Sequence, residues 1–265
     1  MSMVIGTSGW QYRDWRGIFY PAGVPAARWL EYYGRTFPAV ENNGTFYRLP
    51  AAGTFAAWRD RTPDGFLMVV KASRYLTHVR RLRDPAEPVA RLLGAAAHLG
   101  PRLGPVLMQL PPTMTADPAA LDGCLAACST FRPPAGTPPV RVRVAVEFRH
   151  ESWWTDETRH ILASHDAALC WADRQEHPVA PLWRTASWGY LRLHEGAGPS
   201  WPRYTSRTLR RWVAAIAECW QPDEDAFVFF NNDQHGAAPH DASAFAALAR
   251  KEGHQVSPAP EVNPG

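Results

Sequence analysis

The chain has 265 residues, 46% of them hydrophobic and 20% charged, which excludes a disordered chain and suits the single large core of an α/β barrel, typically roughly 250 residues. A formal charge of only +3 creates no strong field toward nucleic acid or an anionic membrane. The N-terminus carries no basic, apolar leader and no run of about 18 apolar residues occurs, so a cytoplasmic protein that neither spans a membrane nor is secreted is expected.

Short apolar runs recur along the chain, each followed by helical spacing, which is the pattern of successive βα units. Eight strands are predicted: Val4 to Gly9, Ala39 to Asn43, Phe66 to Lys71, Val106 to Leu110, Val142 to Phe148, Ala168 to Ala172, Gly189 to His194 and Ala226 to Asn231. Most are nearly continuous apolar runs, as parallel strands buried on both faces require. The expected fold is one (β/α)8 TIM-type barrel over residues 1–253.

Helix starts are marked by Asp84-Pro85 and Asp117-Pro118, each a capping carboxylate before a proline, by Thr205 or Ser206, and by Asp241. Leu209, Trp212, Val213 and Ile216 give the seventh helix a core-facing stripe. Pro178 and Pro181 leave little room for a helix between Arg174 and Trp188, so an irregular connection is expected after the sixth strand. The proline-rich stretch Arg132 to Pro139 reads as a surface loop, and His254 to Gly265 as a flexible tail. Cys124, Cys128, Cys170 and Cys219 form no CxxC pair and read as reduced thiols. There is no glycine-rich nucleotide-cofactor loop.

Alternate residues of a strand share a face, and this places the polar side chains. Ala145, Glu147 and Arg149 share one parity on the fifth strand; Tyr190, Arg192 and His194 on the seventh; Phe227, Phe229, Asn231 and Asp233 on the eighth; Val69 and Lys71 on the third; Glu41 and Asn43 on the second. Gln109 and Asp173 close the fourth and sixth strands. The polar residues thus gather at the C-terminal ends of apolar strands, which in a parallel barrel open onto the one face where active sites lie. Glu41, Glu147 and Asp233 can pair with Lys71, Arg149 and Arg192, and His194 can exchange a proton near neutral pH. Lys71 and Lys251 are the only lysines, so Lys71 stands out for its amine. Around the same rim stand Trp10 and Tyr12, Tyr47, Trp153 and Tyr204, and flat aromatic walls beside hydrogen-bonding groups suit sugars and nucleobases. The plainer alternative is a self-neutralising ion network that closes the barrel, with the aromatics as core anchors.

Several blocks carry a family likeness: Gly6-Thr7-Ser8-Gly9-Trp10 with Tyr12 and Trp15, Val40-Glu41 through Asn43 to Thr45-Phe46-Tyr47, Lys71 with Thr77-His78, Gln109-Leu110-Pro111-Pro112, Val146-Glu147-Phe148-Arg149-His150, Arg192-Leu193-His194 and Phe229-Phe230-Asn231-Asn232-Asp233. From residue 6 to about residue 245 the chain resembles the YecE-like family, domain of unknown function seventy-two. The resemblance implies a TIM-type barrel and imports no reaction.

The first functional expectation is an enzyme, a hydrolase, lyase or isomerase, acting by acid/base chemistry on a small polar ligand that is sugar-like or phosphorylated. Glu147 would be the base, His194 its proton partner, and Lys71 a third catalytic group, with Arg192 beside it binding an anionic group or developing charge. Trp10, Tyr12, Glu41, Asn43, Tyr47, Gln109, Arg149, Asn231 and Asp233 would hold the ligand. A metal-dependent phosphodiesterase or endonuclease acting on nucleic acid is the second expectation, less favoured for want of HxH or HExxH spacing, and it leaves a divalent metal open. A non-catalytic metabolite-binding protein is the third.

Overall fold

The computed structural model describes residues 2–133, 135, 141–197 and 200–258. Its strands are β1 (Ser2–Thr7), β2 (Ala39–Asn42), β3 (Leu67–Lys71), β4 (Leu103–Gln109), β5 (Val144–Glu147), β6 (Ala168–Leu169), β7 (Trp171–Arg174), β8 (His177–Pro178), β9 (Gly189–Leu193), β10 (Asp225–Phe230) and β11 (Gln255–Val256). They form one curled sheet in the order β6-β5-β4-β3-β2-β1-β10-β9-β7-β8, with β11 beside β1. Every pairing among the described residues is parallel except β7 with β8. The result is an α/β fold, TIM-barrel-like, with helices packed outside the sheet.

The period of two along each strand divides the core into two layers. Val4, Ala39, Val69, Leu107, Ala145, Ala168, Tyr190, Phe227 and Phe229 pack with one another inside the curl. Their neighbours Ile5, Val40, Met68, Val70, Met108, Val146, Leu169, Leu191 and Val228 face outward against the helices. Leu209, Trp212, Val213 and Ile216 of the helix Ser206–Cys219 meet that outer layer as their spacing predicts. Arg143 covers the inner layer at the N-terminal ends of the strands, its guanidinium 4.8 Å from the Phe227 ring centre and 3.1 Å from Asp225.

Each of the eight predicted strands overlaps an observed one, and the sixth is divided. Its first half, β6, pairs with β5, its second half, β7, with β9, and Cys170 between them donates its backbone N–H to Val146. The irregular connection after it is a hairpin: Gln175 and Glu176, both with positive φ, turn the chain so that His177–Pro178 runs back against Asp173 and Arg174.

Two capping expectations hold and two do not. Asp117 accepts from the Ala120 N–H and Thr205 from the Thr208 N–H. Asp84 instead pairs with Arg80 and lies outside the helix Ala86–Ala96, whose N-cap position is taken by Pro85. Asp241 lies inside the helix Ala237–Lys251, where its buried carboxylate accepts from the Tyr204 N–H and the Asn232 amide. The expected tail also begins as structure, since Gln255 and Val256 pair with Ser2 and Met3. Residues 259–265, and residues 134 and 136–139 of the expected surface loop, lie outside the described residues.

Candidate active site

The inner layer becomes polar where the strands end. Glu41, Lys71, Gln109, Glu147 and Arg192 are the next inward residues after Ala39, Val69, Leu107, Ala145 and Tyr190, and all five are buried. Burying isolated ions would be costly, so the cluster is stable only if each charge is matched. Arg192 matches two of them. Its Nη2 and Nε donate to Glu41 at 2.7 and 3.0 Å, and its Nη1 donates to Glu147 at 2.5 Å. Tyr190, on the same face of β9, adds a 2.6 Å hydrogen bond to Glu41.

Glu147 is saturated. One oxygen accepts from Arg192 and from the Gln109 amide at 2.9 Å; the other accepts from Arg149 Nε at 2.9 Å and lies 3.4 Å from His194 Nε2. Burial alone would raise its pKa, but the charge of Arg192, the hydrogen bond from His194 and the charge of Arg149 outweigh burial and hold the carboxyl well below its usual range. Burial pushes His194 the other way, below its ordinary value, despite Glu147 beside it. A neutral imidazole fits the geometry, with Nε2–H directed to Glu147 and Nδ1 accepting from the Asn231 amide at 3.3 Å. Asn231 also stands 3.4 Å from Arg192.

Lys71 reaches the same network through Gln109, whose Oε1 accepts from Nζ at 2.9 Å while its amide serves Glu147. Its ammonium also lies 4.8 Å from the Phe46 ring centre. Burial and the charge of Arg192 lower the Lys71 pKa to about 8.

Beside this network a cavity of about 440 Å³ opens at the ends of β5, β7 and β9, walled by Glu147, Arg149, His150, Trp154, Arg174 and His194 among others. Its volume suits a small ligand.

Asp233, Tyr12 and Asn43 form a second group around Ser8. The Tyr12 hydroxyl lies 2.8 Å from Asp233 Oδ2 and 2.6 Å from the Ser8 carbonyl, and the Asn43 amide donates to the same carbonyl at 3.3 Å. Gly9 holds a φ of +112° that lets the Tyr12 ring close over it; a Cβ there would stand 2.8 Å from the Tyr12 oxygen. Burial raises the Asp233 pKa to about 7, with Glu41 and Asp14 acting in the same direction and Tyr12 and Arg192 against it.

The remaining expected contacts lie elsewhere. Trp10 is buried edge-on against Trp58, 5.8 Å between ring centres. Trp153 donates to the Met114 carbonyl and stacks on Phe148, and Tyr204 bridges the Asp173 carbonyl and the Glu195 N–H; both are anchors in the core. Tyr47 is 80% exposed and packs on Phe46. Asp173 faces outward, its carboxylate accepting from Trp212 Nε1 at 2.8 Å and from Arg211 at 3.2 Å. Tyr190, Trp154 and Arg174 were not predicted as site residues. Tyr190 was legible, since it shares the parity of Arg192, whereas the other two depend on how the loops after β5 and β7 fold.

A curled parallel sheet with a charged, hydrogen-bonded cluster at its C-terminal ends defines this as a TIM-barrel-like protein with a pocket in the usual position for such folds. Residues 4–264 match the model of the protein family of unknown function DUF72, and the chain belongs to that family. It is similar to the UPF0759 protein YunF of Bacillus subtilis, 25% identical over 96% of this chain and 97% of that one. It is also similar to the UPF0759 protein YecE of Escherichia coli, 33% identical over 41% of this chain and 38% of that one. A crystal structure of a DUF72 family protein from Thermotoga maritima superposes with a TM-score of 0.75 at 25% identity, covering 94% of this chain and 100% of that one. An Enterococcus faecalis DUF72 protein also gives 0.75, at 17% identity, over 94% of this chain and 95% of that one.

Proposed function

We propose that the protein is an enzyme acting by acid/base chemistry on a small, hydroxyl-bearing anionic ligand, such as a sugar phosphate, bound at the C-terminal face of the sheet. The proposal includes a closed eight-stranded barrel, with β6 and β7 counted as halves of one strand joined at Cys170. The observation that carries the functional reading is the cavity beside Glu147. Arg149 sits at its edge with its side chain 34% exposed, and Arg174 on its wall has no ion-pair partner among the described residues. Guanidinium groups of this kind bind phosphate or carboxylate oxygens. Trp154 supplies a flat wall for a sugar-like body and Glu151 an acceptor for a hydroxyl.

The roles differ from those expected of the residue types alone. Glu147, with both oxygens engaged by donors and its pKa depressed, suits anchoring Arg149, Arg192 and His194 better than taking a proton. Lys71, with its amine lowered to about 8, is the group tuned for proton exchange near neutrality, and His194 stands in the same network as a neutral imidazole. The phosphodiesterase reading lacks support, because no three His, Cys, Asp or Glu side chains converge as a metal set among the described residues.

A thermal-shift screen of sugars, sugar phosphates, nucleotides and inorganic phosphate tests the proposal, followed by product analysis of any hit. Stabilisation by phosphorylated compounds that disappears in Arg149→Ala, with turnover of at least one hit, is the expected result. Stabilisation that survives Arg149→Ala, or the absence of any phosphate effect, would remove it; a hit that binds but is never consumed would make this a binding protein.

A further inference from the structure

The group around Ser8 holds three polar atoms with no partner. Ser8 Oγ, Asn43 Oδ1 and Asp233 Oδ1 are all buried and make no hydrogen bond, although buried polar atoms are nearly always satisfied because an orphan has given up its water without a replacement. They stand together in the fold: Ser8 follows β1, Asn43 follows β2 and Asp233 follows β10, three neighbouring strands. They are joined through one atom, the Ser8 carbonyl, which accepts from the Asn43 amide and lies 2.6 Å from the Tyr12 hydroxyl that meets Asp233. Ser8 itself is wholly buried.

The proton count around Tyr12 explains part of the group. Tyr12 has one hydroxyl proton, yet its oxygen lies within hydrogen-bond distance of the Ser8 carbonyl and of Asp233 Oδ2. A carbonyl can only accept. Both contacts are hydrogen bonds only when Asp233 carries a proton and donates it to Tyr12, which then donates to Ser8. The raised pKa of Asp233, about 7, agrees with this count.

We propose that Ser8, Asn43 and Asp233, with Tyr12 holding Asp233 in place, form a second subsite that binds hydroxyl groups of the ligand and exchanges a proton with it through Asp233. This deepens the function proposed above and rests on it: the cavity at Arg149 would take the anionic end and this subsite the hydroxyl-bearing end. Asn231 connects the two, since it contacts His194 and Arg192 and precedes Asp233 by two positions in the chain. When Asp233 is ionised, its free Oδ1 takes a proton from the ligand, the electron pair stays on the ligand, and Tyr12 remains protonated. The charged and titratable groups that act on Asp233 are Tyr12, Glu41, Arg192 and Asp14.

Two measurements test this. Carbon NMR of aspartate side chains in the ligand-free protein should show one carboxyl that titrates near neutrality and disappears in Asp233→Asn; if every aspartate titrates in the ordinary range, proton exchange at Asp233 is overturned. In the thermal-shift assay, polyol phosphates of three to six carbons should stabilise the wild type more than inorganic phosphate does. Ser8→Ala and Asp233→Asn should abolish that excess and keep the inorganic phosphate shift. An excess that survives both substitutions, or none in the wild type while inorganic phosphate still binds, overturns the subsite and leaves the cavity proposal standing. If inorganic phosphate itself gives no shift, both proposals fall. Because Ser8 Oγ makes no bond in the ligand-free protein, Ser8→Ala should leave its melting temperature unchanged or raised; a large drop would assign Ser8 to the fold instead.

Discussion

Arg192 grips Glu41 through a planar two-point fork, Nη2 to Oε1 at 2.7 Å and Nε to Oε2 at 3.0 Å, with 1% of the arginine and none of the glutamate side chain exposed. A pair this deep is stable only as a pair: removing one partner leaves an uncompensated buried charge, at about 3–5 kcal/mol. Glu41→Gln or Arg192→Met should therefore lower unfolding free energy by about that amount in urea titrations. Arg192→Lys should recover little, because an ammonium cannot bond Glu41 and Glu147 with the same fork.

Glu147 makes a pH prediction. Its carboxyl lies below the ordinary range in the folded protein, where Arg192, His194 and Arg149 outweigh burial, so it contributes stability that is fully present above its unfolded pKa of about 4.3. That contribution falls away as the pH drops toward the folded value, because the unfolded chain then binds the proton more readily. Denaturant titrations between pH 7 and pH 3 should show a steep acid loss in the wild type. Glu147→Gln should be less stable at neutral pH by on the order of 3 kcal/mol and show a shallower acid loss.

Lys71 should be separable from ordinary lysines by its reactivity. Its amine is lowered to about 8 by burial and by Arg192, whereas a free lysine titrates near about 10.4. With only Lys71 and Lys251 in the chain, acylation followed residue by residue in mass spectrometry reads each directly. The Lys71 rate, corrected for accessibility, should level off above about pH 8, and Gln109→Leu, which removes its hydrogen-bond partner, should change the midpoint.

Gly9→Ala tests the position of Tyr12. A methyl group at a φ of +112° and 2.8 Å from the Tyr12 oxygen must displace the ring, in addition to the backbone cost of a non-glycine residue there. A loss of roughly 1 kcal/mol or more in stability is expected, read by denaturant titration.

The strands and the polar cluster were legible in the sequence for one reason. Parallel strands buried on both faces are apolar runs, so a charge at Glu147 or Arg192 is conspicuous, and the period of two states which face it joins. What each charge does was not legible. That Glu147 is engaged through both oxygens follows from Gln109, Arg149, Arg192 and His194 arriving from three different strands or their ends, and no spacing along one strand encodes that meeting. Tryptophans misled for a related reason: the indole N–H of Trp153 requires a partner whether it faces a ligand or the Met114 carbonyl, and its position does not say which way the ring turns. Asp241 read as a cap because capping and helix-interior carboxylates look alike until the partners, Tyr204 and Asn232, are folded beside it.

The divided sixth strand has one more consequence. Its alternation sends Asp173 outward to Trp212 and leaves Ala172 facing the cavity, so the pocket owes part of its volume to a side chain that stops at Cβ. A single inserted residue beside Cys170 would exchange the two, placing a carboxylate inside the chamber and stranding the Trp212 indole. The size of the chamber thus depends on the phase of a strand as much as on the side chains around it, and enlarging residue 172 is the simplest way to narrow it.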